Sequence, residues 1–315
     1  MFKRRIPGMF LAAAAASLVM MLSGQAKAQK AGFELFPSAP QLALPTDPNA
    51  AADRSAITAD QQFVHPITAP YFHEDSFVST DVRLWYLYHE FAPNSAVGGG
   101  EAQVAAAQIR VGITDQLQLV AYKDGYAWIH SGIIKKSGWN DIAAGLKYNF
   151  LQNYTTQTYA ALGVGYQLPW GESKVLQNKE ELRIWGSVNQ GLFDKLHLGA
   201  TANFFFATGE TGPFGASDTF SAHFHADYAV CKFFSPVFEA NFYHTWRDRH
   251  AALPIQGADV TDLGGGKSDD ITTLALGFEV RPIDNVGVRA AFERNFANTK
   301  DIFDNRLTLS AVISF

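Results

Sequence analysis

From about Phe77 to Phe315 apolar and polar residues alternate almost without a break, and this period restricts the fold more than any other feature. Side chains two apart on an extended chain share a face, so strict alternation describes strands with one apolar and one polar side. In Asp304–Phe315 (DNRLTLSAVISF), Leu307, Leu309, Ala311, Ile313 and Phe315 fall on one side, and Arg306, Thr308, Ser310 and Ser314 on the other. At the other end of the region, Val82, Leu84, Tyr86 and Tyr88 oppose Asp81, Arg83, Trp85 and His89. The same pattern recurs through Ala107–Ile113, Ile142–Phe150, Ala160–Leu168, Leu182–Val188, Leu196–Phe206, Phe220–Val230, Phe238–Trp246, Thr272–Val280 and Val286–Phe292. Taken together the periodicity predicts about twelve strands of roughly ten residues, the length that crosses an outer membrane at a tilt.

The connections alternate as well. Short turns rich in Asp, Asn, Gly or Pro are expected at Thr114-Asp115, Gln152-Asn153, Phe193-Asp194, Ser235-Pro236 and 282–285. Longer loops are expected around 92–101, 124–138, 169–180, 208–218, 247–268 and 297–304. Short turns at one end and long loops at the other are the pattern of an up-and-down transmembrane barrel, and an even strand number leaves both termini on the periplasmic side. Aromatics near strand ends (Tyr86, Tyr88, Trp128, Trp139, Trp170, Tyr243, Trp246) are expected as interface girdles.

The first residues read as an export signal. Lys3, Arg4 and Arg5 precede an apolar run from Met9 to Leu22, and Ala26-Lys27-Ala28 is a small-x-small cleavage site, so residues 1–28 are expected to be removed. The run is shorter than the ~20 residues a spanning helix needs. Residues 29–75 carry Pro37, Pro40, Pro45, Pro48, Pro66 and Pro70, which interrupt every candidate strand. They read as a periplasmic linker, or as a plug tucked into the lumen. Residues 76–315 form the barrel. The single cysteine, Cys231, forms no intrachain disulfide, so sheet closure is left to supply stability in an oxidising periplasm.

A soluble sandwich or a lipocalin-type barrel also alternates, with its apolar face turned inward. Three features favour the membrane: the export signal, the terminal Phe315, and a polar face carrying paired charge. The fold class is therefore all-β, a transmembrane antiparallel up-and-down barrel of about twelve strands, located in the outer membrane of a Gram-negative bacterium. Phe315 is the expected signal to the barrel-assembly machinery. Outer-membrane lipid and lipopolysaccharide are further expected partners. A net charge of −5 does not suggest a nucleic-acid partner.

With the apolar face outward, the lumen collects Arg83, Arg110, Lys147, Arg183, His223, His225, Asp227, Glu239, Asn241, Glu279, Arg289, Glu293 and Arg306. Arg289, Glu293 and Arg306 belong to the last two strands and are expected to be close neighbours. Mixed charge inside a barrel of this size reads either as a pore lining or as a structural network filling the lumen. His223, His225 and Asp227 lie at i, i+2 and i+4, a spacing compatible with metal ligands but more simply a satisfied polar cluster. His244 stands on the apolar face beside Trp246. A lipid-hydrolysing site there needs a serine partner, which no neighbouring strand offers on that face, so a girdle role is the better reading. Gly264–Ser268 (GGGKS) has Thr261 where a phosphate loop needs its first glycine, and no helix is expected to follow. No catalytic residue, metal or cofactor is expected.

Four phrases carry a resemblance: GITDQLQLVAYKDGY (112–126), WNDIAAGLKYNF (139–150), PVFEANFYHTW (236–246) and DIFDNRLTLSAVISF (301–315). They resemble a group of Gram-negative outer-membrane barrels catalogued as transporter-like proteins of the putative MetA pathway of phenol degradation. The resemblance spans roughly 77–315. It implies a membrane barrel passing small solutes, aromatic compounds among them, and a non-enzymatic role. The alternative is a non-conducting barrel with a filled lumen and a structural or surface role.

Overall fold

The computed structural model describes residues 63–315 apart from positions 96, 176, 178, 210–216, 248–255, 259–260, 266–269 and 297–302. The expected export signal and residues 29–62 lie outside the described residues, as do parts of the loops expected at 208–218, 247–268 and 297–304.

Twelve strands form one sheet: β1 (Asp81–Phe91), β2 (Gly100–Gly112), β3 (Leu117–Lys123, resuming as Tyr126–Ser131), β4 (Lys135–Trp139, resuming as Ile142–Asn153), β5 (Thr158–Leu168), β6 (Glu181–Leu192), β7 (Leu196–Ala207), β8 (Asp218–Tyr228), β9 (Phe234–Arg247), β10 (Ile271–Ile283), β11 (Val286–Asn295) and β12 (Asn305–Ser314). Each is antiparallel to its sequence neighbours. The last strand pairs with the first from Asp81↔Ser314 to Glu90↔Asn305, which closes the barrel, so that its first and last strands are not left as edges. A small hairpin (Gln256–Ala258 with Thr261–Gly265) lies in the β9–β10 connection and includes the first part of the GGGKS stretch.

Burial decides which face looks out. On β4, Lys147 and Asn149 are buried while Leu146, Tyr148 and Phe150 are exposed. On β10 the exposed positions are Leu274, Leu276, Phe278 and Val280, and Thr273 and Glu279 are buried. Such a surface is stable only where the surroundings are themselves apolar. The inner face is not uniformly polar, however. Trp85, Leu87 and Phe91 of β1 pack inside on Ala102, Val104 and Ala106 of β2, Ala127 and Ile129 of β3, and Val175.

Three local expectations are corrected. The stretch 124–138 is not a long loop: β3 breaks at Asp124-Gly125 and resumes, pairing with β2 through Tyr126↔Ala105 and with the start of β4. Gly125 takes φ +112° there, and a Cβ would lie 2.7 Å from the Ala105 carbonyl oxygen, so a glycine interrupts the alternation without ending the strand. Ser235-Pro236 is not a turn but the start of β9, with Pro236 opposite Phe278; the reversal lies at 229–233. Pro236 stands beyond the last β8 pair, Val237↔Asp227, where a ladder hydrogen bond is not required of it. Finally, Tyr243 is not a girdle residue. It is buried inside against Phe72 and Phe303, because its position on β9 shares the inward face with Glu239 and Asn241. Trp139, Trp170 and Trp246 are exposed, as a girdle requires. The tight turn at Phe193-Asp194 has φ +54° and +61° at its two central residues, the hand that suits a hairpin.

Candidate functional site in the barrel lumen

All twelve charged or histidine side chains expected to face the lumen are buried: Arg83, Arg110, Lys147, Arg183, His223, His225, Asp227, Glu239, Glu279, Arg289, Glu293 and Arg306. Asn241 is buried with them. Taking such groups out of water is costly unless each is paired. Part of the pairing comes from the wall. Glu293 stands opposite Arg306 across β11 and β12 and accepts from its Nε at 2.7 Å, while Asn241 Nδ2 donates to Glu293 Oε1 at 2.9 Å. Arg289, expected beside this pair, is opposite Ser310 instead and donates to its Oγ at 2.6 Å. Glu279 pairs with Arg281 on its own strand.

The rest of the pairing comes from a segment with no strand period. Residues 63–75, within the stretch read as linker or plug, and 76–80 run among the inward side chains; Ile67, Thr68, Ala69, Glu74 and Ser76 have no solvent exposure. Four cations of the wall bind this segment. Arg110 Nη2 donates to Glu74 Oε1 at 2.7 Å. Lys147 Nζ donates to the Asp75 carbonyl at 2.8 Å and to Asp75 Oδ1 at 3.3 Å. Arg183 donates to the carbonyls of Tyr71 (2.9 Å) and Phe72 (2.6 Å), its guanidinium lying over the rings of Trp185 and Tyr122. Arg289 donates to the carbonyls of His65 (2.9 Å) and Pro66 (3.2 Å) and stacks over Trp85. A fifth cation, Arg83, bridges Asp81 of its own strand and Asp75 Oδ2, at 2.8 and 3.1 Å.

Acids of the opposite wall take the segment's amide protons. Glu239 Oε1 accepts from Ile67 N at 2.8 Å and Oε2 from Thr68 N at 2.6 Å; Asp227 Oδ1 accepts from Val64 N at 3.2 Å. His225 sits between these carboxylates, Nδ1 2.7 Å from Glu239 and Nε2 3.1 Å from Asp227, and His197 Nδ1 lies 2.7 Å from Asp227. His223 is held instead by Asn241 and Ser221. His223, His225 and Asp227 therefore have their polar atoms committed to a hydrogen-bonded cluster.

The segment's own ionisable groups respond to this setting. Burial alone would raise the Asp75 carboxyl, but Lys147, His65 and Arg83 overcome it and hold it well below the ordinary carboxylate range. For Glu74, burial is likewise outweighed by Arg110, Lys147 and Arg183, and its pKa falls. Burial pushes His73 down to about 4.

Periodicity had marked the wall but not its partners. Gln108 and Asn149, on the polar face that the alternation marks, join the network, and so do Glu74-Asp75, Asn189, Thr201 and Asn203, which the sequence reading does not single out. A pair of adjacent acids in an otherwise apolar, Pro-rich stretch was the available signal. His244, on the outer face, has Asp270 at 2.5 Å and Phe220 as its β8 partner, and no serine is in register with it among the described residues.

A closed antiparallel sheet with an apolar exterior and a charged interior defines the class: this is a transmembrane β-barrel, the architecture of the bacterial outer membrane. No protein-family model and no curated protein sequence matches the chain. Among solved structures it is similar to the KdgM porin in complex with disordered oligogalacturonate (12% identity, TM-score 0.46, covering 76% of this chain and 99% of that one). It is also similar to the transport unit of the autotransporter AIDA-I from Escherichia coli (12%, TM-score 0.44, 86% and 99%) and to Omp33 of Acinetobacter baumannii (11%, TM-score 0.39, 77% and 100%). At these TM-scores the class rests on the strand register and burial given above.

Proposed function

We propose that this protein is an outer-membrane channel for small solutes, closed in this state by its own residues 63–80, and that solutes pass when the segment withdraws. One observation carries the reading. Lys147, Arg110, Arg183 and Arg289 donate hydrogen bonds to the segment, and Glu239 accepts from its amides, as well as, or instead of, bonding to the wall. A lumen built only as a structural filler would be expected to pair wall with wall, as Glu293 and Arg306 do. The phrases shared with the phenol-degradation barrels extend the reading to small organic compounds, aromatic ones included. A non-enzymatic role, Phe315 as the contact for the assembly machinery, and lipopolysaccharide around the outer face belong to the same proposal.

The test is a reversible tether. Ser76 donates to Asn189 Oδ1 at 2.8 Å from its amide, so Ser76→Cys with Asn189→Cys, in a Cys231→Ser background, places two thiols across the segment–wall contact. Planar-bilayer recordings should show openings when the pair is reduced and silence when it is oxidised. Silence in both states, from protein folded by heat-modifiable gel migration, would refute the channel and leave the filled, non-conducting barrel.

A further inference from the structure

The segment does not merely obstruct the lumen; it presents carboxylates to a cluster of wall cations. Arg83, Arg110 and Lys147 come from β1, β2 and β4, each is at most 1% exposed, and together they hold two adjacent carboxylates, Glu74 and Asp75. Arg110 engages Glu74 through two nitrogens, Nη2 at 2.7 Å and Nε at 3.3 Å, the fork geometry of guanidinium–carboxylate recognition. Close by in the chain, the Phe72 ring lies among Phe205 (5.2 Å), Tyr243 (5.6 Å) and His223 (6.0 Å). The wall therefore offers a cationic cluster on β1, β2 and β4 and an aromatic pocket on β7, β8 and β9, filled by residues two to three apart in the segment.

We infer that Arg83, Arg110 and Lys147 form a binding site for small organic carboxylates, which Glu74 and Asp75 occupy in the closed state, so that a carboxylate solute competes with the segment and favours its release. The inference rests on the reading that the segment withdraws. Without Glu74 and Asp75 the three buried cations would keep Asp81 of β1 as their one carboxylate among these ion pairs, 2.8 Å from Arg83 and 4.0 Å from Arg110. That excess of positive charge is costly, so an anion that replaces the segment's acids lowers the cost of opening. A neutral solute of the same size has no such differential affinity and shifts nothing. Two adjacent carboxylates on the segment favour dicarboxylates over monocarboxylates, and the pocket that Phe72 fills, two residues before Glu74, favours an acid that carries a ring.

The experiment reads segment release directly. Ser76→Cys in a Cys231→Ser background is labelled by a membrane-impermeant maleimide in the folded, detergent-solubilised full-length protein. Succinate, phthalate and benzoate are compared with benzyl alcohol and glycerol at matched ionic strength. Phthalate and succinate should accelerate labelling saturably, by about tenfold or more, with benzoate weaker and the neutral solutes inert. Glu74→Gln with Asp75→Asn leaves the wall intact and removes the competitor, so it should raise basal labelling and move the response to lower carboxylate concentration. Basal labelling that no carboxylate accelerates beyond the neutral solutes would overturn this inference and leave the channel reading standing. A thiol at position 76 that stays unlabelled in the folded protein under every solute would overturn both.

Discussion

Glu239 of β9 accepts the Ile67 amide proton at 2.8 Å across 172 residues of sequence, and its other oxygen takes the Thr68 amide at 2.6 Å. One carboxylate thus caps two consecutive main-chain donors that a proline-interrupted segment cannot satisfy within itself. Glu239→Gln keeps one acceptor oxygen but loses the charge and the partner of His225. With hydrogen bonds to charged groups contributing about 1.5–3 kcal/mol, docking should weaken by at least one such bond. Open probability in bilayers should rise about tenfold or more, while heat-modifiable migration is retained. An unchanged open probability would show that the segment is anchored elsewhere.

Acidification should loosen the segment in two stages. A solvated histidine titrates near 6.5, whereas docked His73 is held at about 4, facing Glu239, His223 and His225. The released state binds the proton more readily, so docking is favoured above about pH 6.5 and loses up to roughly 3 kcal/mol as pH falls from there to about 4. Glu74 and Asp75, whose docked pKa values are depressed, contribute above about pH 4 and lose their contribution as pH falls through the docked values. Channel opening should therefore increase steadily below about pH 6.5. His65, whose pKa burial and Arg83 also lower, adds to the upper stage with the same sign, so His73→Gln should reduce the part between about 6.5 and 4 and leave the His65 share and the lower part in place; an unaltered profile would assign the change to another group.

Gly163 on β5 is the floor on which the Trp185 ring lies, and a Cβ there would overlap the indole. That ring in turn carries the Arg183 guanidinium, 4.5 Å from its centroid. Gly163→Ala should displace Trp185 and with it Arg183, at the ~1–3 kcal/mol typical of overpacking. Urea-dependent refolding into vesicles should show that loss, together with higher reactivity of a cysteine at position 76. Stability equal to the parent would mean that the ring has another seat.

Leu276 on β10 is 71% exposed, with Phe238 and Phe292 as its strand partners. At the middle of a membrane strand an outward arginine costs about 2–4 kcal/mol. Leu276→Arg should lower the vesicle unfolding free energy by that amount and leave ion selectivity unchanged. Little loss of stability would place this face against protein or water.

Much of the barrel was legible in the sequence because a strand writes its two faces at period two. Lys147 between Leu146 and Tyr148 needs no tertiary information to be placed opposite them, and Arg306 is marked in the same way by Leu307 and Leu309. Where the period is broken the reading failed. Asp124-Gly125 looked like the start of a loop, although the ladder resumes at Tyr126; Tyr243 looked like a girdle aromatic because aromatics serve both faces equally well. Glu74 and Asp75 carried no period at all, and nothing local indicates that Arg110 and Lys147, 36 and 72 residues away, receive them.

By itself the sequence determined the strands, their approximate number, the alternation of short and long connections, and which residues share a face, since these follow from local geometry and the side-chain period. Only the tertiary structure decided that β12 closes on β1, that the apolar face looks outward, and that residues 63–80 fill the interior. Closure depends on register between strands at opposite ends of the chain. The direction of each face depends on closure. The partners of the inner segment depend on which side chains that register brings around one lumen, as with Arg289 and the His65 carbonyl 224 residues before it.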